Sequence, residues 1–538
     1  MNDFTINKNN PLTQQQNEVV EFLLKSPVCI NATQTGGGKT YTTLTAAMHI
    51  LNVRDDYECV CLVPSCALKA FRRELQTKLN QPYNQYVSGR PSFMQGARIH
   101  LITQSMFEKY INVIVDIRKR GHKIVALVDE YQITQDCSNN FSKNLARVRP
   151  LLNILWGLTA TPLGNSLEGL YWEMNMLDPQ ILGSFESFKF NYVQIEKVPM
   201  MTTSKNVSGK IIRRQTFREE VVGYKNLDQL QEIISKYIIL KQKKYNLKWH
   251  YHKTSLSDEE LKAYLKAGSG LGRSSSANNF AVRLHDLQMV VDNVETPVNK
   301  KELKKQLKKG NPKITDKDVN LIYKDLEKQR RVNILTKNLC SKERLFLQVL
   351  ISLLKENHAV IVYCDYTDTV ARLEMLLERS KHLTGLKKVL KVTGDVTLAE
   401  RERVEESIEE RTVILITSAG TESINLQKAD TVVFYNIPFS VLTFIQCVGR
   451  ITRIDTKHPI QNIHTIEATG TIDSYKRLML QVNGSLIETI FGEIETLPIE
   501  ILKTDRNILQ KLRQALLWCF NQNKLLSEEQ VEKLFYGG

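Results

Sequence analysis

The sequence predicts an α/β protein: two units, each a doubly wound parallel sheet, with helical insertions and a helical C-terminal tail. Three observations carry that expectation. Apolar, β-branched runs alternate with helix-period segments over residues 27–162, and the alternation restarts over residues 360–435. Three consecutive glycines followed by Lys-Thr stand between the first strand and the first helix of the first unit, and the second unit has no counterpart. At 538 residues the chain is too long for one hydrophobic core, so roughly three or four domain-sized units are expected.

Taken in order, Leu12 to Leu23 is an amphipathic helix with Val19, Phe22 and Leu23 on one face, and Pro27 to Ile30 is the first strand. Next come Thr35, Gly36, Gly37, Gly38, Lys39 and Thr40, ahead of a helix over Leu44 to Leu51. Glycines let a backbone curl through positive φ and bring its N–H groups up to phosphate oxygens, and the helix N-terminus adds its dipole. In such a loop Lys39 reaches the β and γ phosphates and the Thr40 hydroxyl completes a magnesium shell. The strict pattern has a glycine where Thr33 stands, and a tight turn before a helix is the plainer alternative.

Cys59 to Pro64, Arg98 to Thr103, Lys123 to Val128 and Leu155 to Pro162 read as further strands, with a helix over Ser65 to Leu79. Ligands of a doubly wound sheet gather at the carboxyl ends of its strands, and Asp129-Glu130-Tyr131-Gln132 lies at such an end. One carboxylate, Asp129, suits water-mediated magnesium binding, and the other, Glu130, suits polarising a water that attacks a γ-phosphate. Thr159 and Thr161 follow the next strand, where hydroxyls link a nucleotide site to whatever moves on hydrolysis; a polar turn before Pro162 is the alternative.

The second unit starts near Ser341, with strands over Val360 to Cys364, Val389 to Thr393, Arg411 to Thr417 and Thr431 to Tyr435 and a helix over Thr369 to Leu377. It is expected to close over the first unit's nucleotide. Gln446-Cys447-Val448-Gly449-Arg450-Ile451-Thr452-Arg453 sets two guanidiniums one helical turn apart. Permanent, planar positive charge suits a transferring phosphoryl group, and an exposed ion-pair helix is the alternative.

The bulk numbers bound the rest. Net charge +15 and a pI near 9.2 suit a polyanionic partner. Without an apolar run of about 18 residues no membrane span is expected, and the N-terminus lacks a secretory pattern, so the expected location is intracellular: cytoplasmic, nuclear or the interior of an infected cell. Nine scattered cysteines form no CxxC pair and the histidines no metal-ligand spacing, which argues for buried thiols over zinc or disulfides. Between the units, Lys266 to Asn279 reads as a mobile loop. Lys300 to Arg331 is crowded with lysines and reads equally as a solvated face or a phosphate grip.

Residues 35–40 (TGGGKT), 129–132 (DEYQ) and 158–162 (LTATP) resemble the first three motifs of superfamily two helicases, and 419–427 (AGTESINLQ) with 446–453 resembles the fifth and sixth. The stretches GNSLEGLYWEMNMLDPQILGSFESFKFNYV and VVGYKNLDQLQEIISKYIILKQKK are similar to those of Swi/Snf-type DNA translocases, and residues 470–473 (GTID) resemble the family's GTIE segment. The resemblance covers about residues 12 to 485 and implies two RecA-like domains, at 1–185 and 336–485, a helical basic insertion at 186–335 and a helical extension at 486–538. It implies ATP and Mg2+ as cofactors, Gln16 reading adenine, Gln446, Arg450 and Arg453 in catalysis, and Gln132, Thr159 and Thr161 in coupling. Ser65, Thr103, Thr393, Thr417 and Ser418 would contact the nucleic-acid backbone. Gln132 in place of histidine, Ser423 in place of glycine and Asp455-Thr456 in place of Gly-Gln depart from the pattern, which puts the remodelling subclass in doubt rather than ATP hydrolysis.

The function so implied is ATP-driven movement along DNA, duplex favoured and branched or single-stranded DNA open, with remodelling of forks, branched DNA or DNA-bound protein. An unidentified protein partner stays open, and the compact chain suggests a phage, viral or mobile-element relative. A strand-separating DNA or RNA helicase is the rival, and an ATP-gated nucleic-acid clamp is a rival of another class.

Overall fold

The computed structural model describes residues 3–34, 36–89, 91–160, 162–163, 166–205, 211–241, 246–268, 277–295, 300–310, 314–421, 424, 426–452, 458, 460–491, 524–525, 527 and 530. Its strands run in chain order as β1 (Val28–Asn31), β2 (Tyr57–Val63), β3 (Asn84–Tyr86), β4 (Ile99–Thr103), β5 (Lys123–Asp129) and β6 (Ile154–Leu158). A long hairpin of β7 (Val193–Lys205) and β8 (Ile211–Tyr224) precedes β9 (Ile238–Ile239). Then follow β10 (Leu247–Thr254), β11 (Val360–Tyr363), β12 (Lys388–Val392), β13 (Thr412–Ile416), β14 (Thr431–Phe434) and β15 (Gln461–Ala468).

Seven strands make the first sheet, in the order β3-β4-β2-β5-β6-β1-β9, and six make the second, in the order β10-β15-β14-β11-β13-β12. Every pairing in both is parallel. Helices cover both faces, so β2, β4, β5 and β13 are buried almost throughout, and for that reason they read in sequence as unbroken apolar runs. Alternate residues serve opposite cores: Val60, Leu62 and Val128 pack on one face of the first sheet, and Cys59, Cys61 and Leu127 join Leu44 and Met48 on the other. Of the described cysteines, those at 29, 59, 61, 340, 364 and 447 are buried as expected, whereas Cys66 is half-buried and Cys137 exposed.

In the first sheet β5 and β6 lie between β1 and β2, so the chain reverses direction across the sheet there and leaves a crevice at the carboxyl ends of these strands.

The middle of the chain departs from the helical insertion expected at 186–335. Besides helices it contains the β7–β8 hairpin, β9 pairs with β1 in the first sheet, and β10 pairs with β15 at the edge of the second. The second sheet therefore draws a strand from nearly a hundred residues before Ser341. Residues 269–276 of the glycine- and serine-rich stretch lie outside the described residues, and its two ends are helical. The C-terminal extension is described only as the end of helix Ile472–Phe491 and a few residues from 524 on.

Beneath the second sheet's carboxyl edge lies a fully buried ionic cluster. Lys342 donates to Asp473 at 2.7 Å and Asp292 at 3.2 Å. Asn436, Thr369 and Gln288 also donate to Asp292, at 2.8, 2.9 and 2.9 Å. Asp473, the acid of the GTID segment, is thus a structural anchor that ties helix Ile472–Phe491 to helix Ser341–Lys355.

Candidate active site

The loop between β1 and helix Lys39–Val53 is held in shape by Asn31. Its Nδ2 donates to the Thr42 and Thr43 hydroxyls at 3.3 and 3.1 Å, and its Oδ1 accepts from the Thr33 backbone at 3.2 Å and hydroxyl at 2.6 Å. Gly36 and Gly38 take positive φ, +77° and +85°, as a curled phosphate cradle requires. Gly37 is confined by the Thr33 side chain, where a β-carbon would collide. Lys39, the first residue of the helix, curls back so that Nζ donates to the carbonyls of Thr33 at 2.7 Å and Gln34 at 3.2 Å, and Thr40 follows it, half-buried. Thr35 lies outside the described residues.

Gln16 stands over this loop. It is the third residue of helix Gln14–Lys25, and its Oε1 accepts from the Thr13 N–H at 3.0 Å while Thr13 Oγ1 accepts from the Gln16 N–H, a reciprocal cap that fixes the side chain. The amide nitrogen then lies against Gly38, 2.5 Å from where a β-carbon would be.

Asp129 ends β5 and is buried. Burial pushes its pKa up to about 7, helped by the neighbouring Glu130 carboxylate and opposed by the Lys39 ammonium. The backbone of Glu130 is left-handed at φ +47°, a conformation that non-glycine residues avoid unless their surroundings impose it. Its carboxylate accepts from Gln132 Nε2 at 2.5 Å, and Gln132 Oε1 is buried without a hydrogen-bond partner among the described residues. Gln104, just past β4, donates to the Asp129 carbonyl at 2.7 Å. The Tyr131 ring fills the space beside Gly157, where a β-carbon would lie 2.5 Å from Cγ. Thr159 is buried just past β6 and its N–H donates to the Asn31 carbonyl at 3.2 Å, which joins this strand end to the loop. Thr161 lies outside the described residues.

Of the residues singled out in sequence, the structure therefore brings Gln16, Gly36 to Gly38, Lys39, Thr40, Asp129, Glu130, Gln132 and Thr159 to one carboxyl edge. Asn31, Gln104 and Tyr131 support them and were missed. Asn31 alone left a signal, a polar residue ending an apolar strand just before the glycines.

In the second unit, helix Val441–Val448 ends before the arginines. Arg450 sits in the turn after it, buried, donating to the carbonyls of Gln446 at 3.2 Å and Ile424 at 2.7 Å. The one-helical-turn spacing expected of Arg450 and Arg453 thus has no helix under it, and Arg453 lies outside the described residues. Gln446 is buried, with its Oε1 accepting from the Thr421 hydroxyl at 3.4 Å.

The residues expected to meet nucleic acid fall into two groups at strand carboxyl ends. Ser65, after β2, lies beside Ser105, with the hydroxyls 3.4 Å apart, and Thr103 ends the adjacent β4. Thr393 follows β12, and Thr417 and Ser418 follow the adjacent β13. Ser65 and Ser418 reach the surface or its margin. Thr103, Thr393 and Thr417 are buried, the Thr103 hydroxyl without a partner among the described residues and the Thr393 hydroxyl on Asp395.

Fold and site together define a two-lobed α/β protein with one phosphate loop, in the first lobe, and an arginine-bearing second lobe. A model of the SNF2-related domain matches residues 15–294, and one of the helicase conserved C-terminal domain matches residues 341–455. The chain belongs to the SNF2-related family. It is similar to the uncharacterized ATP-dependent helicase YqhH of Bacillus subtilis, 22% identical over 82% of this chain and 72% of that protein. It is likewise similar to the CHD3-type chromatin-remodeling factor PICKLE of Arabidopsis thaliana, 22% identical over 63% of this chain and 22% of that one, and to the DNA repair and recombination protein RAD54B of Mus musculus, 23% identical over 62% and 38%. The chain thus spans well under half the length of the remodelling and repair relatives. The Sulfolobus solfataricus SWI2/SNF2 ATPase core in complex with dsDNA aligns over 99% of this chain and 98% of that one at 16% identity, with a TM-score of 0.37.

Proposed function

We propose that the chain is an ATP-driven motor that moves along DNA, duplex DNA foremost. The observation that carries this reading is the convergence of Gln16, Lys39, Asp129 and Glu130 at one carboxyl edge, in an SNF2-related chain whose second lobe supplies arginine and no phosphate loop of its own.

The loop N–H groups from Gly36 to Lys39 would cradle the phosphates, and Lys39 would exchange its carbonyl partners for phosphate oxygens. The Asp129 carboxylate and the Thr40 hydroxyl are hard oxygen donors of the kind magnesium takes, and magnesium keeps most of its shell for water and phosphate, so two protein ligands suffice. Asp129 suits a cation because burial and the neighbouring carboxylate outweigh the compensation from the Lys39 ammonium. When bound, the ion would neutralise charge between the β and γ phosphates. Glu130 would orient and polarise the attacking water, held by its constrained backbone and by Gln132. The free carbonyl oxygen of Gln132 gives it an acceptor to offer a group that arrives as the lobes close, which supports a coupling role beside Thr159 and Thr161.

Arg450, with Arg453, would meet the developing phosphoryl charge from the second lobe. Ser65 of the first lobe and Ser418 of the second, the exposed members of the two strand-end groups, would hold phosphates of the backbone, so opening and closing of the cleft would pass DNA from one grip to the other without reading its sequence.

The test is the steady-state ATPase rate without nucleic acid and with blunt duplex DNA, single-stranded DNA and duplex RNA, beside Lys39→Ala. Stimulation by duplex DNA that vanishes in the variant is expected, and triplex displacement then checks stepping. Stimulation only by single strands or RNA would leave a helicase instead, and displacement failing despite hydrolysis would leave a clamp.

A further inference from the structure

Helix Lys300–Gly310, KKELKKQLKKG, carries six lysines and one carboxylate, Glu302. Lys300, Lys304 and Lys308 form one row at four-residue spacing and Lys301, Lys305 and Lys309 a second row beside it, so the six make one broad band along the helix. Leu303 and Leu307, half-buried, form the other side, where the helix packs on helix Asp316–Thr336. Lys304 and Lys308 share a single carboxylate, Asp316, at 2.8 and 3.4 Å, and Lys305 and Lys309 are exposed. Like charges four residues apart repel, and a helix this short is marginal on its own, so a bound polyanion would relieve a standing electrostatic cost.

The band is fixed to the second lobe. Arg330, on helix Asp316–Thr336, is buried and donates to both carboxylate oxygens of Asp368 at 2.9 and 3.2 Å and to the carbonyl of Glu295 at 2.8 Å. Arg372 donates to the carbonyls of Ile334, Lys337 and Asn338 at 2.7, 3.0 and 3.2 Å. Asp368 and Arg372 belong to helix Thr367–Thr384, which covers the second sheet. Whatever moves the second lobe therefore carries the lysines with it.

We infer that this band is a phosphate-backbone grip carried by the second lobe, separate from the strand-end serines and threonines; the inference rests on the nucleic-acid motor reading above. From Lys301 to Lys309 the helix rises about 12 Å, the axial length of roughly three to four nucleotides of one strand of a duplex. A band of ammonium groups on a helix face matches repeated phosphates and not bases, so it grips without sequence preference.

The test compares the intact chain with Lys305→Ala/Lys309→Ala and with Lys305→Arg/Lys309→Arg, measuring affinity for a labelled blunt duplex over a salt series without nucleotide, and ATPase with and without duplex. The alanine pair is expected to bind more weakly at low salt, with the slope of log affinity against log salt flatter by roughly two, about 0.9 per lost phosphate contact. The arginine pair should restore the slope, and ATPase without DNA should be unchanged in both. An unchanged slope and affinity in the alanine pair, with duplex-stimulated ATPase intact, would overturn the inference alone. If that pair instead lost binding to poly-glutamate, the band would belong to an acidic protein. A wild-type chain that neither binds duplex nor is stimulated by it would sink the motor reading and this inference together.

Discussion

Gly38 shows how single positions set the site. With φ +85° and the Gln16 amide nitrogen 2.5 Å from where its β-carbon would be, Gly38→Ala meets two costs at once. The left-handed backbone alone costs about 1–2 kcal/mol. A lower Tm and weaker ATP binding are expected, and adding Gln16→Ala should relieve the collision but not the backbone term, so that Tm recovers only in part. An unchanged Tm and ATP titration for Gly38→Ala would mean the loop is not built this way. His464 offers a second residue-scale test. It stacks on His250 at 4.3 Å between ring centroids, shares a hydrogen bond of 2.9 Å with His252, and its Nε2 is buried without a partner among the described residues. Burial, and then His250, His252 and His358, push its pKa down to about 3 from an ordinary 6.5. Below pH 6.5 the unfolded chain therefore takes up a proton that the folded chain refuses. Stability from this group is full above pH 6.5 and falls by about 1.4 kcal/mol per pH unit as pH drops toward 3. In urea titrations, His464→Phe should lose stability less steeply than wild type between pH 6.5 and 4.5; parallel losses would mean that His464 protonates within the fold.

At the scale of elements, Lys342 shows what holds the second lobe together. Its ammonium is the shared counter-charge of Asp292 and Asp473, all three fully buried, and breaking such a set by removing one partner costs about 3–5 kcal/mol. Lys342→Met should lower the denaturant midpoint accordingly, and Asp292→Asn/Asp473→Asn added to it should recover much of the loss; a neutral Lys342→Met would mean that the carboxylates are already protonated in the fold. None of this was legible in sequence, because the partners are about 50 and 130 residues away and only folding brings them together. The strands that were legible, such as β2, β5 and β13, are covered on both faces and so are apolar throughout. The edge strand β10, Leu-Lys-Trp-His-Tyr-His-Lys-Thr, is covered on one side only, carries polar residues, and passed as part of a helical insertion. The hairpin β7–β8 escaped too: its base, Val193, Ile195, Val221 and Tyr224, packs on the first core, but neither strand is a long unbroken apolar run. The site was more legible than the fold around it, since glycines, lysine and paired carboxylates are local signals. Gln104 acts through geometry that no spacing reveals, and Asn31 left only its polar place at the end of an apolar strand.

At the scale of the whole molecule, the proposed function would divide the nucleotide chemistry between the lobes. The phosphate loop, Asp129 and Glu130 belong to the first sheet and Arg450 to the second, so hydrolysis should depend on the lobes meeting while ATP binding should not. Arg450 now spends its guanidinium on the carbonyls of Gln446 and Ile424, inside its own lobe. In the proposed motor it would have to exchange these acceptors for phosphate oxygens, and that exchange would give closure a chemical consequence. Arg450→Ala should therefore lower the maximal ATPase rate by about a thousandfold, the scale of an arginine that meets transferring phosphoryl charge, with binding of a fluorescent ATP analogue nearly unchanged. Because those carbonyls also lose a donor, Tm has to be followed in the same variant. Arg450→Lys keeps a donor for them but loses the planar fork, so it should restore Tm and not the rate. If Arg450→Lys restored both, the residue would act as a point charge. If Arg450→Ala hydrolysed ATP near the wild-type rate, the second lobe would not take part in the chemistry through this residue, and the link from hydrolysis to movement would have to run through Gln132 and the strand ends of the first lobe.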